Sequence, residues 1–155
     1  MGSIYGGHLS QHNDVLLVDT NEKVVEQVAN NGLLIDEDGT THTYHPGAVS
    51  NTKGQEPADL VILFVKALFS RAALEGNRGL IGPNTRLMTL QNGAGHEDLL
   101  KEFVDEDHIV IGTTEDNGAG SWNGDMFRRG GTCVTNVGML VEDKERFPSS
   151  VKRSI

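Results

Sequence analysis

One cysteine, Cys133, occurs in 155 residues. A chain with a single thiol cannot close an internal disulfide, which predicts a reducing, cytoplasmic setting. Basic side chains are also few, 13 Lys and Arg against 22 Asp and Glu, for a formal net charge of −9. With no excess positive field to displace counterions, neither nucleic acid nor an anionic membrane is expected as a partner. No apolar run approaches the ~20 residues that a membrane helix needs. The first residues lack a basic segment followed by a long apolar one, which predicts no signal peptide. Internal repeats and low-complexity blocks are missing too. Glycine, by contrast, is plentiful at 19 residues, many of them at the ends of apolar runs, which points to tight turns between elements. The length suits one soluble domain with a real core.

The stretch Asp59-Leu60-Val61-Ile62-Leu63-Phe64-Val65-Lys66 is an unbroken apolar run closed by a lysine. Such a run predicts a strand covered on both faces, as in a parallel sheet. Asp14 to Asp19 and Thr85 to Leu90 are further predicted strands, ending at Asp19 and just before Gln91-Asn92-Gly93-Ala94-Gly95. Ile109 to Ile111 is another. Between them the spacing predicts helices. The first covers Met1 to Ser10, where small residues on one face permit close packing. The second covers Glu22 to Asn30, capped by Thr20 or Asn21, with Val24, Val25 and Val28 inward and Gly32 as its stop. The third covers Leu68 to Leu74, and the fourth His96 to Val104, with Leu99, Leu100, Phe103 and Val104 inward. Asp38-Gly39 should turn a hairpin between Leu33–Ile35 and Thr41–Tyr44. His45 to Pro57 reads as loop with a short strand at Ala48-Val49.

This alternation predicts an α/β fold with a doubly wound, mainly parallel sheet. From Glu115 the pattern becomes Gly-rich and polar. Met126–Arg129 and Thr135–Leu140 read as a short antiparallel pair. Glu142–Arg146 reads as the start of a helix, and Pro148–Ile155 as a frayed tail.

Three strand ends carry candidate groups. In open α/β sheets ligands bind beyond the carboxyl ends of the strands, so a parallel sheet can bring Asp19, Lys66 and Asn92 to one crevice. Lys66 reads as a site cation, or as a surface lysine ending a strand. Asp19 is placed to accept from adenosine ribose hydroxyls, or else to cap a helix. As a ribose acceptor its charge would repel a 2′-phosphate, which favours NADH over NADPH. The Asn92 amide both donates and accepts, as a carbonyl or hydroxyl oxygen requires, but an Asn-Gly pair is also a common turn. Gly93 and Gly95 would let backbone amides approach a ligand. His42 and His45 have no third ligand nearby in sequence, and no metal site is expected. His96 reads as a helix-start residue and Cys133 as a packed or idle thiol. Trp122 could line a pocket or shield an edge, and Arg128 and Arg129 suit a solvated strand face.

Met1-Gly2-Ser3-Ile4-Tyr5-Gly6-Gly7, Val65-Lys66-Ala67, Leu90-Gln91-Asn92-Gly93-Ala94-Gly95 and Gly112-Thr113-Thr114 occur in the order and context of the ketopantoate reductases (2-dehydropantoate 2-reductases). The chain resembles that family to about Asp143. The resemblance implies a Rossmann-like fold and reduction of 2-dehydropantoate to pantoate, on the route to pantothenate, with NADPH or less often NADH. It implies that Gly2, preceded by Met1, corresponds to the last glycine of the G-x-G-x-x-G fingerprint. It implies further that Lys66 contacts the cofactor near its reacting end, that Asn92 touches nicotinamide ribose and substrate, and that Gly118 makes a backbone contact to the cofactor.

Measured against the family pattern, the first strand and the first two fingerprint glycines have no counterpart here. Neither does the helical domain that supplies the protonating lysine and most of the substrate pocket. The expected organisation is therefore an incomplete dinucleotide-binding domain over 1–113, an antiparallel extension of the same domain over 114–141 and a frayed tail over 142–155. Catalytic roles fall to Lys66 and Asn92, and cofactor contacts to Met1, Gly2, Asp19, Lys66, Asn92 and Gly118. The small-molecule partner is a 2-keto acid held in part by Asn92. The sequence fixes no oligomeric state. Two alternatives stand beside this reading: a non-catalytic nucleotide-binding remnant, and a dehydrogenase for another 2-keto acid.

Overall fold

Two separate hydrophobic clusters organise the chain. The structure, a computed structural model, describes the backbone of residues 1–114, 118–122, 126–130 and 134–141, and side chains within 1–114 and 134–141. These residues divide into two compact units, Met1–Thr52 with Glu115–Val134, and Lys53–Thr114 with the segment from Thr135.

In the first unit, α1 (Gly2–Leu9) is followed by β1 (Leu16–Val18), α2 (Glu22–Asn31), β2 (Leu33–Glu37), β3 (Thr40–Tyr44) and β4 (Gly47–Val49), with β8 (Gly118–Trp122) and β9 (Met126–Gly130) joining later. α2 starts where the Asn21 side chain accepts from the Lys23 amide at 3.2 Å, and stops at Gly32, whose φ of 77° suits a residue without Cβ. Its inward Val28 packs with Leu33, Ile35 and Tyr44. The small face of α1 sits close to this cluster: a Cβ at Gly7 would lie 2.7 Å from Ile35 Cδ1. The Asp38-Gly39 hairpin forms as predicted, with Leu33 opposite Tyr44 and Glu37 opposite Thr40. Beside it, Glu37 accepts from Tyr44 Oη at 3.1 Å.

In the second unit, β5 (Leu60–Leu63), α3 (Ser70–Gly76), β6 (Arg86–Thr89), α4 (His96–Leu100), β7 (Ile109–Thr114) and β10 (Thr135–Met139) follow in order. Leu63, Leu74, Leu87, Leu100 and Ile109 form the core, with Leu99, Phe103 and Val104 packed against it as predicted. Thr85 holds the start of β6, donating to Ala58 O at 2.6 Å and accepting from the Gly82 amide at 2.9 Å.

The fold is mixed α/β with mostly parallel ladders. β1–β4, β2–β9, β5–β6 and β6–β7 are parallel, and β2–β3, β8–β9 and β7–β10 antiparallel. Hydrogen bonding groups the described strands into three sheets, β1-β4, β3-β2-β9-β8 and β10-β7-β6-β5. Two expectations are corrected. The segments at 126–130 and 135–139 do not pair with each other. The first lies between β2 and β8, and the second runs antiparallel to β7, with Val137 opposite Gly112. Alternation shows that a strand exists, not which partner it takes. The run at 60–63 is also not covered on both faces. β5 is an edge strand in which Leu63 is 6% exposed and Leu60 44%. Apolarity permits burial on two faces, but cover comes from the elements packed above and below the strand, which its own sequence does not specify.

Across the helical surface of this unit, Arg71 donates two parallel bonds to Glu102, Nη1 to Oε2 at 2.7 Å and Nη2 to Oε1 at 2.6 Å. Among the described residues no helix is long and apolar enough to cross a membrane. Cys133, the side chains of Trp122, Arg128 and Arg129, and the helix and tail predicted from Glu142 onward lie outside the described residues.

Two outcomes follow from this packing. A Cβ at Gly112 would lie 2.6 Å from Leu90 Cδ2 and 2.7 Å from the Asn136 carbonyl, whereas one at Gly76 would meet nothing within 4 Å. Gly112→Ala should cost ~1–3 kcal/mol through overpacking, Gly76→Ala should be neutral or stabilising by up to ~1 kcal/mol, and Leu87→Ala should cost ~2–5 kcal/mol through its cavity. Urea melts rank them, and equal losses at Gly76 and Gly112 would contradict the packing. The second outcome concerns Glu102. Its carboxyl is held below the usual carboxylate range, first by the hydrogen bond from Arg71, which outweighs the opposing desolvation, with the charge of Arg71 adding least. A depressed folded-state pKa gives stability that is present at neutral pH and is lost as pH falls through that lowered value. Both side chains are half exposed, so the contribution is small. An NMR titration should show Glu102 returning toward the ordinary range in Arg71→Gln.

Candidate functional site

β5 and β6 run in parallel register, from Leu60 opposite Arg86 to Leu63 opposite Thr89. The chain therefore leaves both strands at the same sheet edge, and Lys66 and Asn92 each stand three positions beyond the last pair. In an antiparallel pair the two would lie at opposite ends of the ladder. The third parallel strand, β7, continues past its pairing of Ile111 with Thr89 to Gly112, Thr113 and Thr114 at that edge.

Lys66 is exposed. It has extended backbone, with φ −62° and ψ 143°, and precedes a 3₁₀ turn over Ala67–Phe69, its carbonyl accepting from the Phe69 amide at 2.8 Å. Among the described residues its ammonium makes no ion pair. Asn92 is exposed, and its side chain has no hydrogen-bond partner among the described residues. Its carbonyl lies 3.0 Å from His96 Nε2, so His96 is a helix-start residue that steadies the preceding turn. Gly93 and Gly95 take φ of 109° and 86°, a region that L side chains rarely occupy. A Cβ at Gly95 would meet nothing within 4 Å, and one at Gly93 only His96 Nε2 at 3.5 Å. The backbone beside Asn92 is thus open to close approach. A cation, a donor–acceptor amide and an uncovered glycine backbone at one edge can bind and orient a polar ligand carrying a carbonyl or ribose oxygen.

Sequence reasoning assigned no role to the residue that joins these loops. Gln91 Nε2 donates to the Val65 carbonyl and, at 2.8 Å, to Ser70 Oγ. Thr89 Oγ1 donates to Gln91 Oε1 at 3.0 Å and accepts from the Gln91 amide at 3.2 Å. A polar side chain between a buried strand and a glycine turn was the available signal. Its partners, 26 and 21 residues away in sequence, left no local pattern.

In the first unit, Asp19 follows β1 and is exposed, its amide donating to the Val49 carbonyl at 3.2 Å. Asp19 Oδ1 accepts from the Asn21 amide at 2.8 Å, while the cap of α2 is Asn21 itself. Met1 precedes α1 and accepts from the Tyr5 amide at 3.1 Å, and Gly2 is the first residue of that helix. Gly118 opens β8 opposite Gly130. The structure thus brings Lys66 and Asn92 together in one unit, and Met1, Gly2, Asp19 and Gly118 belong to the other. A cavity of about 290 Å³ against Thr85, Phe103, Asp105 and His108 lies where β6 and β7 begin, at the far end from Lys66 and Asn92.

The profile of the family described as ketopantoate reductase PanE/ApbA matches residues 1–141. A 2-dehydropantoate 2-reductase of Streptococcus pyogenes is 35% identical over 115 residues, covering 74% of this chain and 37% of that protein. Two solved structures are similar throughout most of the chain. A candidate 2-dehydropantoate 2-reductase from Enterococcus faecalis has a TM-score of 0.80 at 29% identity, covering 88% of this chain and 45% of its own. A D-mandelate dehydrogenase bound to NADH and anilino(oxo)acetate has a TM-score of 0.84 at 32% identity, covering 94% and 47%. The Rossmann-like α/β fold is common to them. The chain spans less than half the length of each of these relatives.

Proposed function

The chain belongs to the ketopantoate reductase PanE/ApbA family, and from that premise we propose that it is the cofactor-holding part of an oxidoreductase that reduces 2-dehydropantoate to pantoate with NAD(P)H. The observation that carries the reading is the parallel register of β5 and β6, with Lys66 and Asn92 three positions past the Leu63–Thr89 pair.

The residues present fit a pyridine dinucleotide. Lys66 and Asn92 are exposed at one edge, and no side chain covers the backbone at Gly95. When bound, the cofactor supplies a hydride to the 2-keto carbon. Lys66 is read as the cation that orients the reacting end, and Asn92 as the amide that bonds the nicotinamide ribose and the substrate oxygen. Asp19 is read as the acceptor for the adenosine ribose, with Met1, Gly2 and Gly118 as backbone contacts. The exposed Asp19 carboxylate would repel a 2′-phosphate, and the D-mandelate dehydrogenase relative carries NADH, so NADH is the favoured cofactor. That same relative, bound to anilino(oxo)acetate, supports a second reading in which the substrate is another 2-keto acid. On either reading the domain division is a dinucleotide-binding domain to about 113 with an extension of it over 114–141. The proton donor is assigned to the helical domain of the family, so this chain alone should bind cofactor without turnover.

Fluorescence titration with NADH and NADPH tests this. NADH should bind more tightly, and Lys66→Ala and Asn92→Ala should each weaken it by about tenfold, the loss of one hydrogen bond to a charged or polar group. Asp19→Asn should narrow the difference between the cofactors. A chain that binds neither would be a remnant, and steady NADH oxidation on adding 2-dehydropantoate would place the proton donor within these residues.

A further inference from the structure

We propose that Gln91 is a positioning residue whose side-chain amide clasps the loop after β5 to the loop after β6, so that Lys66 and Asn92 are presented to a pyridine dinucleotide as one fixed pair. The inference rests on the cofactor reading above and adds to it a residue that acts through its neighbours.

The clasp has a defined sense. Thr89 Oγ1 donates to Gln91 Oε1 at 3.0 Å while accepting from the Gln91 amide at 3.2 Å. With the oxygen so engaged, the NH₂ group is left to face the Val65 carbonyl and Ser70 Oγ, the latter at 2.8 Å. A carboxamide is the side chain that can accept from the end of β6 and donate to the loop after β5 in this way. Two anchors are rigid. Thr89 is 2% exposed on β6, and Ser70 is 1% exposed at the start of α3. The third anchor, Val65, immediately precedes Lys66, and Gln91 itself immediately precedes Asn92. Each bond of the clasp is therefore one residue from a candidate cofactor contact, and both of those contacts are exposed. Among the described residues the paired register of β5 and β6 ends at Leu63 and Thr89, and the Gln91 bonds extend the link between the two loops beyond it. Without those bonds a ligand would have to order both loops as it bound.

The test measures backbone amide exchange and ligand affinity on the whole chain. The variants are Gln91→Met, which keeps length and volume but loses the amide, and Ser70→Ala, which removes one anchor and leaves the Val65 bond. Without ligand, Gln91→Met should speed exchange in both 64–70 and 91–95. It should weaken NADH and NADPH by about tenfold, while ADP and its 2′-phosphate, which lack both the nicotinamide and its ribose, bind within about twofold of wild type. Ser70→Ala should shift the same readouts less, and it decides the matter if Gln91→Met does not fold. Unchanged exchange in 64–70 would overturn the clasp whatever the cofactor. Equal weakening of the cofactors and their nicotinamide-free fragments would show a merely structural bond and also overturn it. A wild-type chain that binds neither dinucleotide would instead overturn the cofactor reading, and the assigned purpose of Gln91 with it.

Discussion

Backbone pairing between two parallel strands decides where Lys66 and Asn92 stand. The ladder from Leu60–Arg86 to Leu63–Thr89 sets a common origin, and equal steps from that origin carry a cation on one strand and an amide on the other to the same edge. Side-chain chemistry then depends on backbone register, because a slip of one residue would turn each side chain to the other face of its strand. The register is itself held by burial. Leu87 and Ile109 are fully buried and Leu63 nearly so, and these residues sit on β5, β6 and β7, so slipping any one strand would expose part of that cluster. Core and site are thus one constraint seen from two ends of the same strands.

Much of this was legible in the sequence, for reasons particular to each element. α2 announced itself through Asn21, Val24, Val28 and Gly32, and the hairpin through Asp38-Gly39, because caps and turns are local chemistry. The positions of Lys66 and Asn92 at strand ends followed from where apolar runs stop. Pairing was not legible. The segments at 126–130 and 135–139 both read as strands, yet they join different sheets, since a β-strand carries no local signal of which partner it takes. Cover was not legible either. The run at 60–63 has the apolarity of a doubly covered strand, yet Leu60 is 44% exposed where Leu63 is buried, since what packs on each face is not written in the strand itself. Gln91 was overlooked for a related reason: its importance lies in partners brought near by the fold.

The glycines beside Asn92 do a different job from those of α1. At Gly7 the missing Cβ admits Ile35 to within 2.7 Å of where that atom would be, so the gain is packing. At Gly93 and Gly95 the gain is conformational, since φ of 109° and 86° lets the chain turn from β6 into α4 within a few residues. The turn leaves Asn92 outside both elements, its carbonyl held by His96 and its side-chain amide without a partner among the described residues. Had the residue after Asn92 borne a side chain, the strain of that φ would have favoured a different loop and a different direction for the amide.

Asp19 shows how one residue can serve local structure and still remain available. Its Oδ1 accepts from the Asn21 amide at 2.8 Å, so the carboxylate contributes to the turn that leads into α2, while the capping bond comes from Asn21. The two readings of Asp19, turn residue and ribose acceptor, are therefore not exclusive. A carboxylate offers two oxygens and about four acceptor positions, and one backbone amide occupies only one of them. A ribose acceptor at this position would draw on the acceptor sites that the turn leaves open.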